Sequence, residues 1–175
     1  MSPRYVVDTN VLIAASAADP THPADIDATP RDPEWRRKVW EWLDNFQASD
    51  SFLVLDRDQE IQSEYENKLG FNDFGIQVVM HKWSTSAVEA VDLEPEGDSY
   101  RTLPPLVAAA MHDLADHKMA AAAYVAVNTL GPCPIAFAGD TDWHGWEAVL
   151  ADHDIRLEPV IREWSLAKYR EKLTR

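Results

Sequence analysis

The sequence has little of what several large protein classes depend on. It contains one cysteine, Cys133, in 175 residues, so no disulfide can form within the chain. Its longest apolar run, Met119 to Val127, is far shorter than the ~20 residues that span a bilayer. No signal segment that joins basic to apolar residues opens it. These absences predict a single cytoplasmic domain over residues 1–175, without a membrane span.

Basic residues are also scarce. Only 16 Lys and Arg residues face 30 acids, which gives a formal net charge of -14. Such a surface repels polyanions at long range, which argues against a protein that coats DNA non-specifically. A nuclease whose acids are neutralised locally by metal ions, a saline host and a basic protein partner are all compatible with this charge.

The residue patterns of several enzyme classes are missing as well. There is no Gly-x-x-x-x-Gly-Lys-Ser/Thr phosphate loop and no Gly-x-Ser-x-Gly elbow. Histidines are present without the spacing of zinc ligands, at His81, His112, His117, His144 and His153. The sequence therefore gives no support to a P-loop enzyme, a serine hydrolase or a zinc enzyme.

What the sequence does contain is an alternation of strand and helix patterns. Short apolar, β-branched runs predict strands at Tyr5–Val7, Phe52–Leu55, Val88–Leu93, Ile135–Ala138 and Ile155–Val160. Apolar residues at helical spacing follow most of these runs. The alternation predicts an α/β protein of three α/β/α layers, with a mostly parallel central sheet. A Pro-rich stretch at about 16–34 predicts a loop insertion, which is either a disordered surface segment or a lid over the site.

Acidic residues stand where predicted strands end and helices begin. Asp8-Thr9-Asn10 separates the first strand from an apolar helix start, so Asp8 either faces the ligand crevice or caps that helix. Glu64 lies at the edge of a buried helix stripe and could instead pair with Lys68 on the surface. Asp116 falls in the first turn of an Ala-rich helix for which Asp113 is the predicted N-cap, and it could serve the helix dipole alone.

A further pair of acids, Asp140 and Asp142, follows the fourth strand, and the sequence does not say which of the two would be a ligand. Parallel topology collects such strand-end and helix-start positions at one edge of the sheet. Carboxylates that converge there repel one another unless cations lie between them, and hard oxygen ligands favour Mg²⁺ or Mn²⁺. The spacing predicts a metal site built from Asp8, Glu64, Asp116 and Asp140 or Asp142.

In order and spacing, these motifs resemble the PIN-domain nucleases. The resemblance is carried by Asp8-Thr9-Asn10, Glu64, Asp116 and Gly139-Asp140-Thr141-Asp142-Trp143. It implies a Mg²⁺/Mn²⁺-dependent ribonuclease fold that is often dimeric and often the toxin of a toxin–antitoxin pair. Asn10 would then orient Asp8 or the attacking water.

The expected function is a metal-dependent endoribonuclease that cleaves single-stranded RNA. Its partners would be RNA, a second copy of the chain and an antitoxin with a basic segment. Arg36, Arg37 and Lys38 could hold phosphates, although such a run is more often a solvated helix face. A structure-specific DNA nuclease, which would need a larger basic track, and an inactive module that binds metal or RNA are the alternatives.

Overall fold

Five short strands form one parallel sheet at the centre of the molecule. The structure, a computed structural model, describes residues 1–18 and 26–174. Residues 19–25 of the predicted 16–34 loop lie outside the described residues. The strands of this sheet are β1 (Arg4–Val7), β2 (Phe52–Asp56), β3 (Val88–Val91), β6 (Ile135–Phe137) and β7 (Leu157–Pro159). Two further strands, β4 (Pro95–Glu96) and β5 (Ser99–Tyr100), pair with each other.

The helices are α1 (Thr9–Ser16), α2 (Pro33–Ala48), α3 (Glu60–Lys68), α4 (Phe74–Ser84), α5 (Pro105–Ala110), α6 (His117–Thr129), α7 (Trp143–Ala151) and α8 (Arg162–Leu173). A single 3₁₀ turn, Leu114–Asp116, leads into α6. Of the helices in the part of the chain that the structure describes, none has both the length and the apolarity to cross a membrane.

The strand order is β3-β2-β1-β6-β7, and each neighbouring pair is parallel. The prediction of an α/β fold with a parallel central sheet is confirmed. The chain runs outward in one direction from β1 to β3 and in the other from β6 to β7. Ligands in open parallel sheets bind at such a reversal, beyond the carboxyl ends of the two central strands. The strand order therefore predicts a binding site beyond the carboxyl ends of β1 and β6.

The central strand β1 is apolar because helices cover both of its faces. Tyr5, Val6 and Val7 are fully buried. The Tyr5 ring packs edge-on against Trp42 and Phe46 of α2, with centroids 5.4 and 5.8 Å away. Such aromatic pairs stabilise the fold by more than the burial of their apolar area alone. They fix α2 over the middle of the sheet.

Helix α6 packs across β1, β2, β3 and β6, whereas α1, α2 and α4 pack on one another. The alanines at 120–123 are completely buried, and their small side chains let α6 approach the sheet closely. This arrangement is compatible with the predicted three α/β/α layers.

The segment between Glu94 and Pro105 contains a small antiparallel hairpin that the strand patterns of the sequence do not predict. Pro95 pairs with Tyr100 across it, and Gly97 in its turn has φ +61°. The ring of His117 contacts the Ser99 hydroxyl at 2.6 Å, which attaches this hairpin to the start of α6. Strands of two residues have no periodicity to detect, so this hairpin follows from tertiary contacts.

We expect Gly75→Ala to destabilise the fold, because α4 crosses α1 at Gly75. A Cβ atom there would lie 2.7 Å from Leu12 Cβ and 2.8 Å from the Leu12 carbonyl oxygen. Overpacking of this kind costs about 1–3 kcal/mol of unfolding free energy. Gly70→Ala is the matched control, because its nearest neighbour would be an Asp73 oxygen at 3.7 Å. Equal losses in urea denaturation of the two variants would contradict the close crossing.

Candidate metal site

Asp8 lies at the reversal of strand order, directly after β1. Its backbone N–H donates to the Ala136 carbonyl oxygen of β6 at 2.8 Å, and the residue is 5% exposed. Among the described residues, its side chain makes no capping hydrogen bond to α1, and its Oδ2 atom is buried without a partner. The structure thus favours the crevice-facing interpretation of Asp8 over the helix cap.

Asp116 is the second carboxylate with an unpartnered oxygen. It ends the 3₁₀ turn just before α6 and is 9% exposed. Its Oδ2 atom is also buried and has no hydrogen-bond partner within residues 1–18 and 26–174. Asp113 caps the 3₁₀ turn by accepting from the Ala115 N–H at 2.9 Å. Asp113 therefore caps the 3₁₀ turn and not the Ala-rich helix itself, and Asp116, at the N-cap position of α6, makes no side-chain capping hydrogen bond within the described part of the chain.

The carboxyl groups of this site disfavour one another's ionised form. Burial raises the pKa of Asp8 well above its ordinary value, and the charges of Asp116, Asp140 and Glu64 raise it further. The Asn10 backbone N–H lowers that pKa, as the smallest of these influences. Burial is also the largest cause that raises the pKa of Asp116 to about 8, followed by the charge of Asp140. Mutual repulsion in a buried place is the condition that a bound cation relieves.

The two acids after β6 have different surroundings. Asp140 is among the charges that raise the pKa values of Asp8 and Asp116, and its own pKa is raised mainly by burial. Asp142 instead pairs with Lys172 and, at 3.3 Å, with His112. These pairs lie beside a cleft of about 430 Å³ that also contacts Trp146 and Tyr169. The structure therefore puts Asp140 with the buried acids and Asp142 with the cations at their edge.

The side chain of Asn10 is engaged with the turn before Asp140. Its Oδ1 atom accepts from the Gly139 N–H at 3.0 Å. A Cβ atom at Gly139 would collide with this oxygen and with the Thr29 carbonyl oxygen. Glycine is needed here because the backbones approach so closely. Asn10 thus fixes the direction in which the chain leaves β6 for Asp140.

Glu64 has partners on both carboxylate oxygens. The Thr9 hydroxyl donates to Oε1, and the Lys118 ammonium pairs with Oε2 at 2.5 Å. The surface pair with Lys68 that the spacing allowed is replaced by this pair with Lys118. Tyr65, the next residue of α3, donates from its hydroxyl to the Val7 carbonyl oxygen at 2.5 Å. Helix α3 is thereby held against the end of β1.

Lys118 is a residue of this site that the sequence motifs do not indicate. It stands two positions after Asp116 and is the one lysine of α6, just before the apolar run Met119 to Val127. A lone lysine within such a helix, so close to a predicted ligand, was the available signal.

The three basic residues at the start of α2 contact their own neighbourhood. Arg36 donates to the carbonyl oxygens of Pro30 at 2.6 Å and Ala28 at 2.7 Å. Arg37 pairs with Glu41 at 2.9 Å, and the Lys38 ammonium lies 4.0 Å from the centroid of the Trp35 ring. These contacts explain the residues without a substrate, so a phosphate-binding role for them stays a prediction.

The donor set fits a hard divalent cation. In the part of the chain that the structure describes, no three His, Cys, Asp or Glu side chains are arranged as a ready-made metal site. The same region nevertheless holds two buried carboxylate oxygens without partners, on Asp8 and Asp116. Leaving such oxygens unpaired costs free energy. A Mg²⁺ or Mn²⁺ ion would supply a partner, because both ions bind carboxylate oxygens.

No family model, curated protein or solved structure matches this chain. The resemblance to the PIN-domain nucleases therefore rests on the motifs themselves, from Asp8-Thr9-Asn10 to Gly139-Asp140. Membership of that family stays a prediction.

The raised pKa of Asp116 predicts a pH-dependent stability in EDTA. The pKa of Asp116 in the folded state, about 8, lies above the ordinary value of 3.8. Between these two pH values the folded state therefore keeps a proton on Asp116 that the unfolded state has released. The contribution of Asp116 to the free energy of unfolding is then fully present below about pH 4, and it is lost as the pH rises towards about 8. Urea denaturation at pH 5 and pH 8 should show this loss.

Asp116→Asn should reduce that loss, whereas Asp44→Asn, at an exposed position of α2, should leave it unchanged. Asp8 and Asp140 shift in the same direction as Asp116, so part of the pH dependence should persist in Asp116→Asn. An undiminished loss in that variant would contradict the assignment to Asp116.

Asp8→Asn separates a metal ligand from a helix cap. Without metal the variant should melt at the same temperature or higher, because a repelled buried charge is removed. Mn²⁺ at about a hundredfold excess over its Kd should stabilise the wild type by roughly 2.7 kcal/mol. The variant should lose most of that gain. A cap would behave differently, because Asn caps helices as well as Asp does, so an unchanged Mn²⁺ response in thermal melts would refute the ligand role.

Proposed function

We propose that this protein is a metal-dependent endoribonuclease that cleaves single-stranded RNA, as its resemblance to the PIN-domain nucleases implies. The observation that supports this most directly is the pair of unpartnered oxygens on Asp8 and Asp116. They lie with Asp140 at the reversal of strand order, where an open parallel sheet binds its ligands.

Asp8, Asp116 and Asp140 would hold the Mg²⁺ or Mn²⁺ ion. When bound, such an ion activates water and stabilises the charge that develops on phosphate oxygens during an in-line displacement. The ion would also lower the pKa values of the carboxyl groups around it, so they would be ionised at neutral pH.

The rest of the chain keeps these carboxylates in place. Asn10 holds the turn before Asp140 through the Gly139 N–H. Tyr65 ties α3 to the last residue of β1, and the β1–β6 hydrogen bond fixes the backbone of Asp8. Rigid placement of ligands before substrate arrives avoids a reorganisation cost during the reaction.

Charge limits which nucleic acid the site would accept. A net charge of -14 repels a long duplex, and the cations next to the acids are engaged, Lys118 with Glu64 and Lys172 with Asp142. Binding would be confined to a short stretch of single-stranded RNA at the metal. The acidic surface would suit a basic antitoxin segment, with the protein acting as a dimer in the cytoplasm.

The test is incubation of the wild type with labelled single-stranded RNA and single-stranded DNA, in Mn²⁺ or Mg²⁺ and in EDTA. RNA should be cut internally with metal and left intact in EDTA. Asp8→Asn and Asp116→Asn should each lower the rate at least about 100-fold, since each removes a metal ligand. Asp44→Asn is the control.

Other results would select among the alternatives. Cleavage of DNA alone would replace the ribonuclease with a DNA nuclease. Binding of Mn²⁺ without cleavage of the RNA or of the DNA would support an inactive binding module.

A further inference from the structure

Lys118 is a positive charge built into the acidic site. Its side chain is 15% exposed, and its ammonium lies 2.5 Å from Glu64 Oε2. The ammonium also acts on Asp116, since it is the cation that lowers the pKa of that carboxyl. A lysine that is paired with one acid and acts on a second contributes its charge whether or not a metal ion is bound.

The contacts divide the acids into two kinds. Asp8 and Asp116 each present a buried oxygen with no partner among the described residues. Glu64 presents none, because Thr9 donates to one oxygen and Lys118 pairs with the other. A metal ion at Glu64 would have to share an oxygen with the Thr9 hydroxyl or with the Lys118 ammonium.

Position reinforces this division. Thr9 belongs to α1 and Lys118 to α6, and the Tyr65 hydroxyl bond to Val7 fixes the helix that carries Glu64. Glu64 is therefore held between two helices by groups that would share its oxygens with any bound metal ion. A second divalent cation beside Glu64 would also meet the ammonium at ion-pair distance, where like charges repel strongly.

We propose that Lys118 takes the place of a second divalent cation, so that the site binds one Mg²⁺ or Mn²⁺ ion. Glu64 is then a positioning residue that anchors the ammonium, and the ion is held by Asp8, Asp116 and Asp140. This inference rests on the proposed metal-dependent function, and it goes beyond it by fixing the number of ions and the task of Glu64.

Mn²⁺ binding at pH 8, followed as bound and free Mn²⁺ by electron paramagnetic resonance, tests the inference without any substrate. The wild type should bind about one ion per chain. Lys118→Met removes the charge and releases a Glu64 oxygen, so this variant should bind a second ion or bind the first on the order of tenfold more tightly. Lys118→Arg keeps the charge and should behave as the wild type does.

Lys68→Met is the matched control, because Lys68 is an exposed lysine on the helix that carries Glu64. It removes the same charge and should leave the number and affinity of bound ions unchanged. Glu64→Gln should retain one Mn²⁺, whereas Asp8→Asn should lose it. Thermal melts of each variant show that it is folded.

Two bound ions in the wild type would overturn the inference, and so would a Lys118→Met variant that binds Mn²⁺ like the wild type or more weakly. Loss of the ion in Glu64→Gln would make Glu64 a ligand and overturn it as well. Each of these results leaves the metal-dependent function standing. A wild type that binds no Mn²⁺ would instead remove the proposed function, and the inference with it.

Discussion

The carboxyl group of Asp8 is buried where β1 ends beside β6, and it is surrounded by other acids. Removing a charge from water costs several kcal/mol, and the neighbouring charges of Asp116, Asp140 and Glu64 add to that cost. The remaining structure makes this placement possible. Strand pairing fixes the backbone of Asp8, and the apolar core around β1 supplies the stability that the buried acids reduce.

A protein gains nothing in stability from buried carboxylates that repel each other. This repulsion is the physical reason for our proposal that a cation binds among them. The same physics explains why Glu64 differs from its neighbours. Thr9 and Lys118 pair with it from within the chain, whereas Asp8 and Asp116 each keep a buried oxygen with no partner among the described residues.

Much of the fold could be predicted because a buried strand is an uninterrupted run of apolar residues in the sequence. The run Tyr5–Val7 is apolar on both faces since β1 lies in the middle of the sheet, and the runs that become β2 and β6 show the same pattern. The acids that follow these strands were recognisable for a related reason. A parallel sheet brings strand ends together, so topology alone placed Asp8 near Asp140.

Contacts between distant segments could not be predicted in this way. Glu64 was predicted to be a metal ligand, with a surface pair to Lys68 as the alternative, and its charged partner is Lys118 of another helix. The choice between Asp140 and Asp142 depends on His112 and Lys172, which come from remote parts of the chain. Pairings of this kind are set by how helices meet, and a one-dimensional pattern carries no record of that.

The strand order also governs when the acids meet during synthesis. Val6 of the central strand pairs with Ile135, so one side of β1 has no neighbour until the ribosome has made most of the chain. Asp8, Glu64 and Asp116 emerge earlier, but the strand that carries Asp140 to them does not yet exist. Any property that depends on Asp140 lying beside Asp8 therefore has to wait until β6 has joined the sheet.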